Sequence, residues 1–360
     1  RNCDWSSDVC SSDLGGKPNS SPNIFYRFSS FDTRNEGITR VKFLNETDRT
    51  NVIAGVSSPT FISVPVELTN RGNFYLLSPL GIQVLPGAGF ANINTLLLST
   101  SRKLTLGGSE FDALATTDTS SLTTSPSTDA SSLLRDNLGE GTLGGFFTDS
   151  DTAPQGGGIQ IAPGVNLSVD KSLLVVSNNK NIEIQSANLS AAGASSGDAL
   201  SIIGQNIEII GSNLTSNALI EIREPTRTDS PVAGTLASPT VQSIGCSSTD
   251  ACAFFGSGRE DTWSYLKISD TTLSDAGSPA TTWKAVLKIT GWGCRDNGSA
   301  CPDNAQALAN TGTDYAQIGI TSPGPANPGR RAYRGLDASN VTINPGSGVT
   351  DLDVTIALDW

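Results

Sequence analysis

Two groups of charged residues have the types and spacing that acid–base chemistry needs. Asp149 and Asp151 alternate along the chain, and Arg259, Glu260 and Asp261 are consecutive. Convergent carboxylates of this kind catalyse the cleavage of glycosidic bonds. Both groups, however, lie in stretches rich in Ser, Thr, Gly and Pro that are predicted to be loops. We therefore interpret them as solvated loop charges.

Histidine, the commonest general base and metal ligand, does not occur in the sequence. Ser109, in the segment Gly-Gly-Ser-Glu-Phe, therefore has no histidine to activate it, and it lacks the strand–turn–helix context of a nucleophilic serine. These observations predict that the protein is not an enzyme, and we expect no metal and no cofactor.

Four cysteines form two local pairs, Cys246 with Cys252 and Cys294 with Cys301. Their spacings exceed those of Cys-x-x-Cys redox and zinc sites, and no histidine is present to complete a metal site. We predict a local disulfide in each pair. Disulfides persist in oxidising environments, so this prediction implies an oxidising compartment.

The charge balance limits the partners of the chain. Its net charge is −12, and an acidic chain is repelled by nucleic-acid phosphates and by anionic membranes. No apolar run is long enough to span a bilayer, so we expect neither a nucleic-acid partner nor a membrane-spanning segment. One basic patch contains Arg330, Arg331, Tyr333 and Arg334. We interpret it as an exposed loop, and the alternative is a site that contacts an acidic partner.

The beginning of the chain differs from the rest. The segment from Asp4 to Leu14, DWSSDVCSSDL, resembles a translated sequencing adapter. The alternative is a flexible secreted leader with a local disulfide. We expect residues 1–14 to be disordered and exclude them from the fold. Because the sequence contains no Met, the natural N-terminus is expected to lie upstream.

The elements that must position all of these residues are predicted to be short strands. Charged residues make up only 16% of the chain, whereas Gly, Ser, Thr and Asn are abundant. Long amphipathic helices need Lys, Glu and Leu in quantity, and no apolar stripe of 3.6-residue period persists. Short strands joined by turns fit this composition better, so the predicted fold class is all-β.

A repeated pattern makes this prediction more specific. It reads apolar, any, apolar, four mostly small or polar residues, apolar, and then Ser, Thr or Asp. Its four copies are LTLGGSEFD (Leu104 to Asp112), IEIQSANLS (Ile182 to Ser190), IEIIGSNLT (Ile207 to Thr215) and LKISDTTLS (Leu266 to Ser274).

The spacing inside the repeat indicates a corner. Ile182 and Ile184 share one strand face, but Leu189, five residues later, would point to the opposite face of a continuing strand. All three can face one core only if the chain turns between them. Strand, corner and strand, repeated after 25 residues, form one coil of a parallel β-helix, a solenoid that we predict to be right-handed. We expect one stacked core of Ile182, Ile184, Leu189, Ile207, Ile209 and Leu214.

Asparagines recur at equivalent positions of the repeat. Asn181 and Asn206 precede the two Ile-Glu-Ile strands, and Asn188 and Asn213 are placed at the two corners. Stacked asparagines can form a hydrogen-bonded ladder along the axis. The alternative is that Asn is simply common in turns.

Four blocks occur in order near the start of the chain: NIFYRFSSFDTRNEGITRVKFLN, TNVIAGVSS, GNFYLLSPLGIQVLPGAGF and LLLSTSRKLTL. In this order they resemble the N-terminal secretion domain of filamentous haemagglutinin-like exoproteins, which are exported by two-partner secretion. The later segment GGGIQIAPGVNLSVDKSLLVVSNNKNIEIQSANLSA resembles the first solenoid coils of that family.

The family's Asn-Pro-Asn-Gly-Ile motif is degenerate here. Ser78, Pro79, Leu80, Gly81 and Ile82 occupy it, and only Pro79, Gly81 and Ile82 match. The separate Asn-Pro-Asn-Leu motif is not visible. Pro79 pre-sets a turn dihedral, and Gly81 can adopt the positive φ that a side chain resists. The turn either only builds the fold or also contacts the transporter, and both roles remain open.

Tyr75, Leu76, Leu77 and Ile82 flank the turn and are expected to anchor it in the core. The resemblance and the composition together predict six segments. Residues 1–14 are the excluded segment, 15–113 the secretion domain with an N-terminal cap and the first coils, 114–158 a Ser/Thr/Gly-rich excursion, 159–222 further coils, 223–263 an insertion with the first local disulfide, and 264–360 β-rich coils with the second.

The resemblance implies a secreted surface exoprotein of the adhesin type. Its partner would be an outer-membrane transporter that recognises the N-terminal domain, and host or surface glycans are candidate ligands. Its location would be the surface or exterior of a double-membraned bacterium, reached through the periplasm. The alternatives are a β-helical polysaccharide lyase or glycosidase, and a passenger fragment of an autotransporter, which would lack the four entry blocks.

Overall fold

A computed structural model describes residues 21–35, 37–107, 109–114, 119–126, 158–223, 264–290, 316–318 and 334–359. Every regular element in these ranges is a β-strand, and all but one of the strand pairs are parallel. The all-β prediction is therefore confirmed. Within these ranges no helix is long and apolar enough to cross a membrane.

Most of the strands are short. They are β1 (Asn23–Phe28), β2 (Phe31–Asp32), β3 (Val41–Phe43), β4 (Asn51–Val56), β5 (Thr60–Ile62), β6 (Pro65–Leu77), β7 (Ile82–Val84), β8 (Gly89–Ser99), β9 (Lys103–Leu106), β10 (Ser109–Asp112), β11 (Ile159–Ile161), β12 (Asn166–Val169), β13 (Ser172–Gln185), β14 (Asn188–Ala191), β15 (Ala199–Ile210), β16 (Asn213–Ser216), β17 (Leu219–Arg223), β18 (Ser264–Ser269), β19 (Thr272–Ser274), β20 (Thr282–Thr290), β21 (Ala316–Ile318), β22 (Arg334–Ser339), β23 (Thr342–Asn344) and β24 (Asp351–Asp359).

Parallel pairing arranges these strands in three columns. The first column runs through β1, β4, the end of β6, the end of β8, the starts of β13 and β15, β17, β20 and β24. The second runs through β2, β5, β7, β11, the ends of β13 and β15, β18 and β22, and β21 also pairs with β22. The third contains β3 and the starts of β6 and β8, and then β12, β14, β16, β19 and β23. The chain visits the columns in this order and returns to the first.

The stacking predicted from the repeat is confirmed. Ile182 pairs with Ile207, Ile184 with Ile209 and Leu189 with Leu214, all in parallel register. All six side chains are buried in one core cluster. Because the cluster continues from Ile24 to Ala338, the three columns enclose a single apolar interior.

The corner between the second and third columns is made by one residue with positive φ. This residue is Ser186 (φ 45°), Gly211 (φ 61°), Asp270 (φ 50°) and Asn340 (φ 51°) in four successive turns. Gly, Asn and Asp tolerate this conformation best. The sequence placed Asn188 and Asn213 at the corners. They instead begin β14 and β16, two residues after the bend.

One of the four predicted repeats does not form a coil. Residues 104–106 belong to β9 and residues 109–112 to β10, and the two strands pair with each other in an antiparallel hairpin. Leu104 and Phe111 face each other across it and join a second buried cluster, separate from the main core. The prediction was wrong here because an apolar alternation of period two fits a hairpin as well as a coil.

The second cluster lies on the outer face of the first column. Its strand residues come from β1, β4, β6, β8, β13 and β15, and the β9–β10 hairpin, Ala113 and Leu122 supply the rest. Gly55 permits the close approach, because a Cβ there would lie 2.7 Å from the Cα of Ala113. We call the described residues 103–107, 109–114 and 119–126 the cover.

The segment 264–360, for which the sequence predicts β-rich coils, contains β18 to β24 among its described residues. The sequence missed β22, which begins at Arg334. Arg334 had been assigned to an exposed basic loop, and that assignment was wrong. The strand escaped notice because its sequence, RGLDAS, contains a single large apolar residue.

Candidate functional site

The turn from Ser78 to Ile82 joins β6 of the first column to β7 of the second. The Gly81 N–H donates to the Ser78 carbonyl at 3.0 Å, which closes a four-residue turn with Pro79 and Leu80 in the middle. Gly81 has φ 113°, which confirms its predicted positive φ. A residue with a Cβ would strain this conformation, so the turn depends on Gly81.

Ser78 is buried and forms hydrogen bonds with strands and loops from neighbouring passages of the chain through the three columns. Its hydroxyl accepts a hydrogen bond from Thr60 Oγ1 at 2.9 Å. It lies 2.9 Å from the Gly81 carbonyl and 3.1 Å from the Ser58 carbonyl, the acceptors for its single proton. The Ser78 N–H donates to the Ser99 carbonyl at 2.8 Å. Ser78 therefore connects its own passage through the three columns with the passages before and after it.

Only two residues of the turn reach the surface. Ser78, Gly81 and Ile82 are buried, whereas Pro79 and Leu80 are half-buried. None of the five side chains titrates, so the turn offers a partner a small apolar shape rather than acid–base chemistry. Any protein that recognises this turn must therefore contact Pro79 and Leu80.

The residues that flank the turn are buried, as the sequence predicted, but they lie in two different apolar clusters. Leu76 and Ile82 lie in the main core. Tyr75 and Leu77 point to the other face of β6 and lie in the cluster beneath the cover. The sequence did not predict this division, because it showed no outer apolar face on the first column.

Tyr75 has an unusual environment. Its side chain is fully buried, and its hydroxyl has no hydrogen-bond partner. Burial disfavours the charged phenolate and raises the pKa of Tyr75 well above its ordinary value. An unsatisfied buried hydroxyl is a local cost to stability.

A buried asparagine ladder runs along the edge where the first column begins each turn. Asn51 donates to Asn23 at 2.9 Å, and Asn73 donates to Asn51 at 2.8 Å. The amide of Asn23 donates in turn to the carbonyls of Leu122 (3.0 Å) and Thr124 (2.7 Å) in the cover. The sequence analysis missed this ladder. Its signal was an Asn before two large apolar residues in NIF, NVI and NFY.

The asparagine ladder predicted at Asn188 and Asn213 is confirmed. Asn213 donates to Asn188 at 2.8 Å, and Asn188 donates to Asn166 at 2.5 Å, all three being exposed on the third column. Asn181 and Asn206 are in register in the second column. Their side chains lie outside the described part of the structure, so their ladder stays a prediction.

Charged side chains fasten the cover to the first strand. Arg102 and Asp112 form an ion pair at 3.0 Å across the base of the hairpin. Arg27 donates to the Asp112 carbonyl at 3.2 Å, and its guanidinium lies 4.6 Å from the centre of the Phe111 ring. Burial lowers the pKa of Arg27, and the charge of Asp112 opposes that shift. The guanidinium is thus partly withdrawn from water to hold the cover.

Several residues of interest lie outside the described residues. These are residues 1–14, both cysteine pairs (Cys246 with Cys252, and Cys294 with Cys301), the charged groups Asp149, Asp151, Arg259, Glu260 and Asp261, and the patch residues Arg330, Arg331 and Tyr333. Ser109 is described: it begins β10 opposite Leu106 of the hairpin.

No protein-family model, no curated protein and no solved structure matches this chain. The function must therefore be argued from the turn, the ladders and the stack themselves.

Proposed function

We propose that the protein is a secreted surface exoprotein of the haemagglutinin-like adhesin type, exported by two-partner secretion. Its N-terminal domain is the part that a dedicated outer-membrane transporter recognises. The protein passes through the periplasm of a double-membraned bacterium to the surface or the medium, where host or surface glycans are its candidate ligands.

The observation that carries this proposal is the placement of the four sequence blocks. The first block spans β1 to β3, the second contains β4, the third runs from the end of β6 into β8, and the fourth joins β8 to β9. Strands from successive blocks pair in parallel register within the first column. The order of the blocks along the chain is thus also the order of their strands in the first column. We expect this arrangement in a secretion domain that forms the first strands of the stack.

The fold that suits this role is a right-handed parallel β-helix with an N-terminal cap. The columns are visited in the same order in every turn, which supports a helical path. The contacts of Leu122 and Thr124 with Asn23 support a cap on the first strand. An experimental structure with left-handed crossovers between columns would contradict this fold.

The export step can be tested at Gly81. The chain is expressed behind a secretory signal peptide, with and without a co-expressed two-partner transporter, and exoprotein in the medium is measured. We expect secretion to require the transporter and to fall strongly in Gly81→Val, because valine resists the positive φ of this position. Gly89→Val is the matched control, since Gly89 lies in β8 with no atom within 4 Å of an added Cβ.

Secretion that does not depend on the transporter would contradict the proposal and favour an autotransporter passenger. Undiminished secretion of Gly81→Val would remove the turn from the export argument. The enzyme alternative has no support among the described residues, because its candidate carboxylates lie outside them.

A second variant separates recognition from folding. Pro79→Ala with Leu80→Ser changes only the half-buried residues of the turn. Circular dichroism checks that this variant folds. A folded variant that is not secreted supports direct contact between the turn and the transporter. A folded variant secreted at the wild-type level assigns the turn to the fold alone.

A further inference from the structure

The third column, from β12 to β23, has an outer face of uncharged polar side chains. Its inward residues, such as Leu167, Leu189 and Leu214, lie in the core, so the strand residues on either side of them point outward. Each of these outward residues is Asn, Ser or Thr, and each is exposed or half-buried. We call this set the polar array: Asn166, Ser168, Asn188, Ser190, Asn213, Thr215, Thr272, Ser274, Thr342 and Asn344.

The other two columns carry charges at outward positions. In the second column, Glu183 and Glu208 are neighbours in register, and Glu208 forms an ion pair with Lys267 at 2.6 Å. In the first column, Lys284 forms an ion pair with Asp353 at 3.3 Å. The chain as a whole has a net charge of −12. The polar array is therefore an uncharged strip on an acidic molecule, and charge complementarity favours a neutral partner for it.

Parallel register makes the polar array periodic. Asn166, Asn188 and Asn213 stack in one rank, which Thr272 and Thr342 continue. Neighbouring strands lie about 4.8 Å apart, and the second rank lies about 6.6 Å from the first, because it is two residues further along each strand. Similar side chains thus recur at the distance between strands. A ligand that matches the whole array must itself be periodic.

The exposed asparagine ladder fixes the direction of the amides in this array. Asn188 donates to Asn166 and accepts from Asn213. An asparagine amide offers two N–H donors and an oxygen with two lone pairs. Asn188 therefore retains one N–H and one lone pair for a ligand. Because the ladder holds the amide in place beforehand, binding costs little side-chain entropy.

We propose that the polar array binds a neutral linear polysaccharide whose chain lies along the stack, with successive sugars against successive strands. Sugar hydroxyls both donate and accept hydrogen bonds, as the amides and hydroxyls of the array do. The repeating rings of the polymer supply the periodicity that the array requires. This inference rests on the adhesin function proposed above and deepens it, because it names the class of glycan.

The composition of the array also determines how such a polymer binds. The array contains no aromatic side chain on which a sugar ring could stack. A single neutral hydrogen bond contributes little by itself, so affinity must come from many contacts in a row. We therefore expect long chains to bind and single sugars not to compete with them. Sulfated and uronic acid polymers are disfavoured, because the acidic chain repels them.

Retention of the purified 360-residue chain on particles of cellulose, chitin and mannan tests the proposal, with heparin and alginate beads as the acidic polymers. We expect retention on at least one neutral polymer, at low and at high salt, because no ion pair is involved. Asn188→Lys and Ser168→Lys, each made singly, should weaken this binding by at least about tenfold, since the lysine must lose water in the contact.

Gln160→Lys is the matched control. It makes the same change at an exposed amide, but Gln160 lies in β11 of the second column, outside the polar array. This variant should bind as wild type does. Circular dichroism shows whether each variant keeps the wild-type fold.

Three results would overturn the proposal: retention on the acidic polymers alone, no retention on any polymer, and undiminished retention of both array variants. An oligomer that Asn188→Lys dissociates would assign the array to contact between copies and would overturn it as well. None of these results bears on export, which the dependence of secretion on the transporter measures separately.

Discussion

The side chains of Asn23, Asn51 and Asn73 form hydrogen bonds with each other and with the cover rather than with water. The side-chain amides of Asn23 and Asn51 both donate and accept, and Asn73 donates to Asn51, so all three buried side chains are hydrogen-bonded. Buried amides of this kind stabilise only when their partners are in place. The ladder thus fixes the register of the first three strands of the first column.

Replacing the central asparagine should be costly. Asn51→Ala leaves the Asn23 carbonyl and the Asn73 amide without this partner, and we expect the free energy of unfolding to fall by about 2–4 kcal/mol. Urea unfolding followed by circular dichroism measures the change. Asn188→Ala is the control, because it makes the same substitution in the exposed ladder and should cost less than about 1 kcal/mol. Equal losses in the two variants would show that burial is not what matters.

Tyr75 gives a prediction of opposite sign. Because its buried hydroxyl has no partner, Tyr75→Phe should leave the free energy of unfolding at pH 7 unchanged or raise it by up to about 1 kcal/mol. Tyr26→Phe is the control. The Tyr26 hydroxyl donates to the Leu44 carbonyl at 3.0 Å, so losing it should cost about 1 kcal/mol.

The same residue predicts a dependence on pH. Burial raises the folded-state pKa of Tyr75 above its unfolded value of about 10, so its protonated form favours the folded state. The stability that this linkage protects is complete below about pH 10 and is lost as the pH rises toward the folded-state pKa. Urea unfolding at pH 7 and at alkaline pH should therefore show a smaller loss in Tyr75→Phe than in wild type. An identical loss in both proteins would contradict this assignment.

At the scale of elements, the sequence predicted the coils better than the cover. The repeats at Ile182, Ile207 and Leu266 succeeded because an odd spacing between inward residues leaves only a corner as a solution. The copy at Leu104 shows the same letters but folds as a hairpin. Its path is decided by the outer apolar face of the first column, and that face exists only after strands from six parts of the chain have paired.

The same reason explains why the candidate site was predicted only in part. The positive φ of Gly81 could be read from residue types alone, because few residues suit such a turn. The contact of Ser78 with Thr60 and Ser58 joins residues about 20 apart, and no local pattern announces it. Long-range polar contacts of this kind depend on how the turns stack.

Gly55 tests how the cover is attached. A Cβ at this position would lie 2.7 Å from the Cα of Ala113, so Gly55→Ala must push the cover away from β4. We expect a loss of about 1–3 kcal/mol in the free energy of unfolding and faster amide exchange in β9 and β10. Gly89→Ala has no atom within 4 Å of the new Cβ and should change stability by less than about 0.5 kcal/mol. Unchanged exchange in the hairpin of Gly55→Ala would contradict the tight contact.

At the scale of the whole molecule, the cysteines predict where the chain folds. After expression in the periplasm, peptide mapping without reduction should find Cys246 linked to Cys252 and Cys294 linked to Cys301, because each pair is close in sequence. Cytoplasmic expression provides the reduced control. Free thiols after periplasmic expression, or links between the two pairs, would show that the predicted pairing is wrong.

The cover has a consequence for the timing of chain growth. Its buried cluster includes Leu174 and Val176 of β13 and Ala199 and Ile203 of β15, which follow the hairpin in the sequence. A chain that emerges N-terminus first has β9 and β10 available while those strands are still missing. The contacts of the cover with β1 need no residue beyond Thr124, so they can form early. The packing beneath the cover is complete only when residue 203 of β15 has been released.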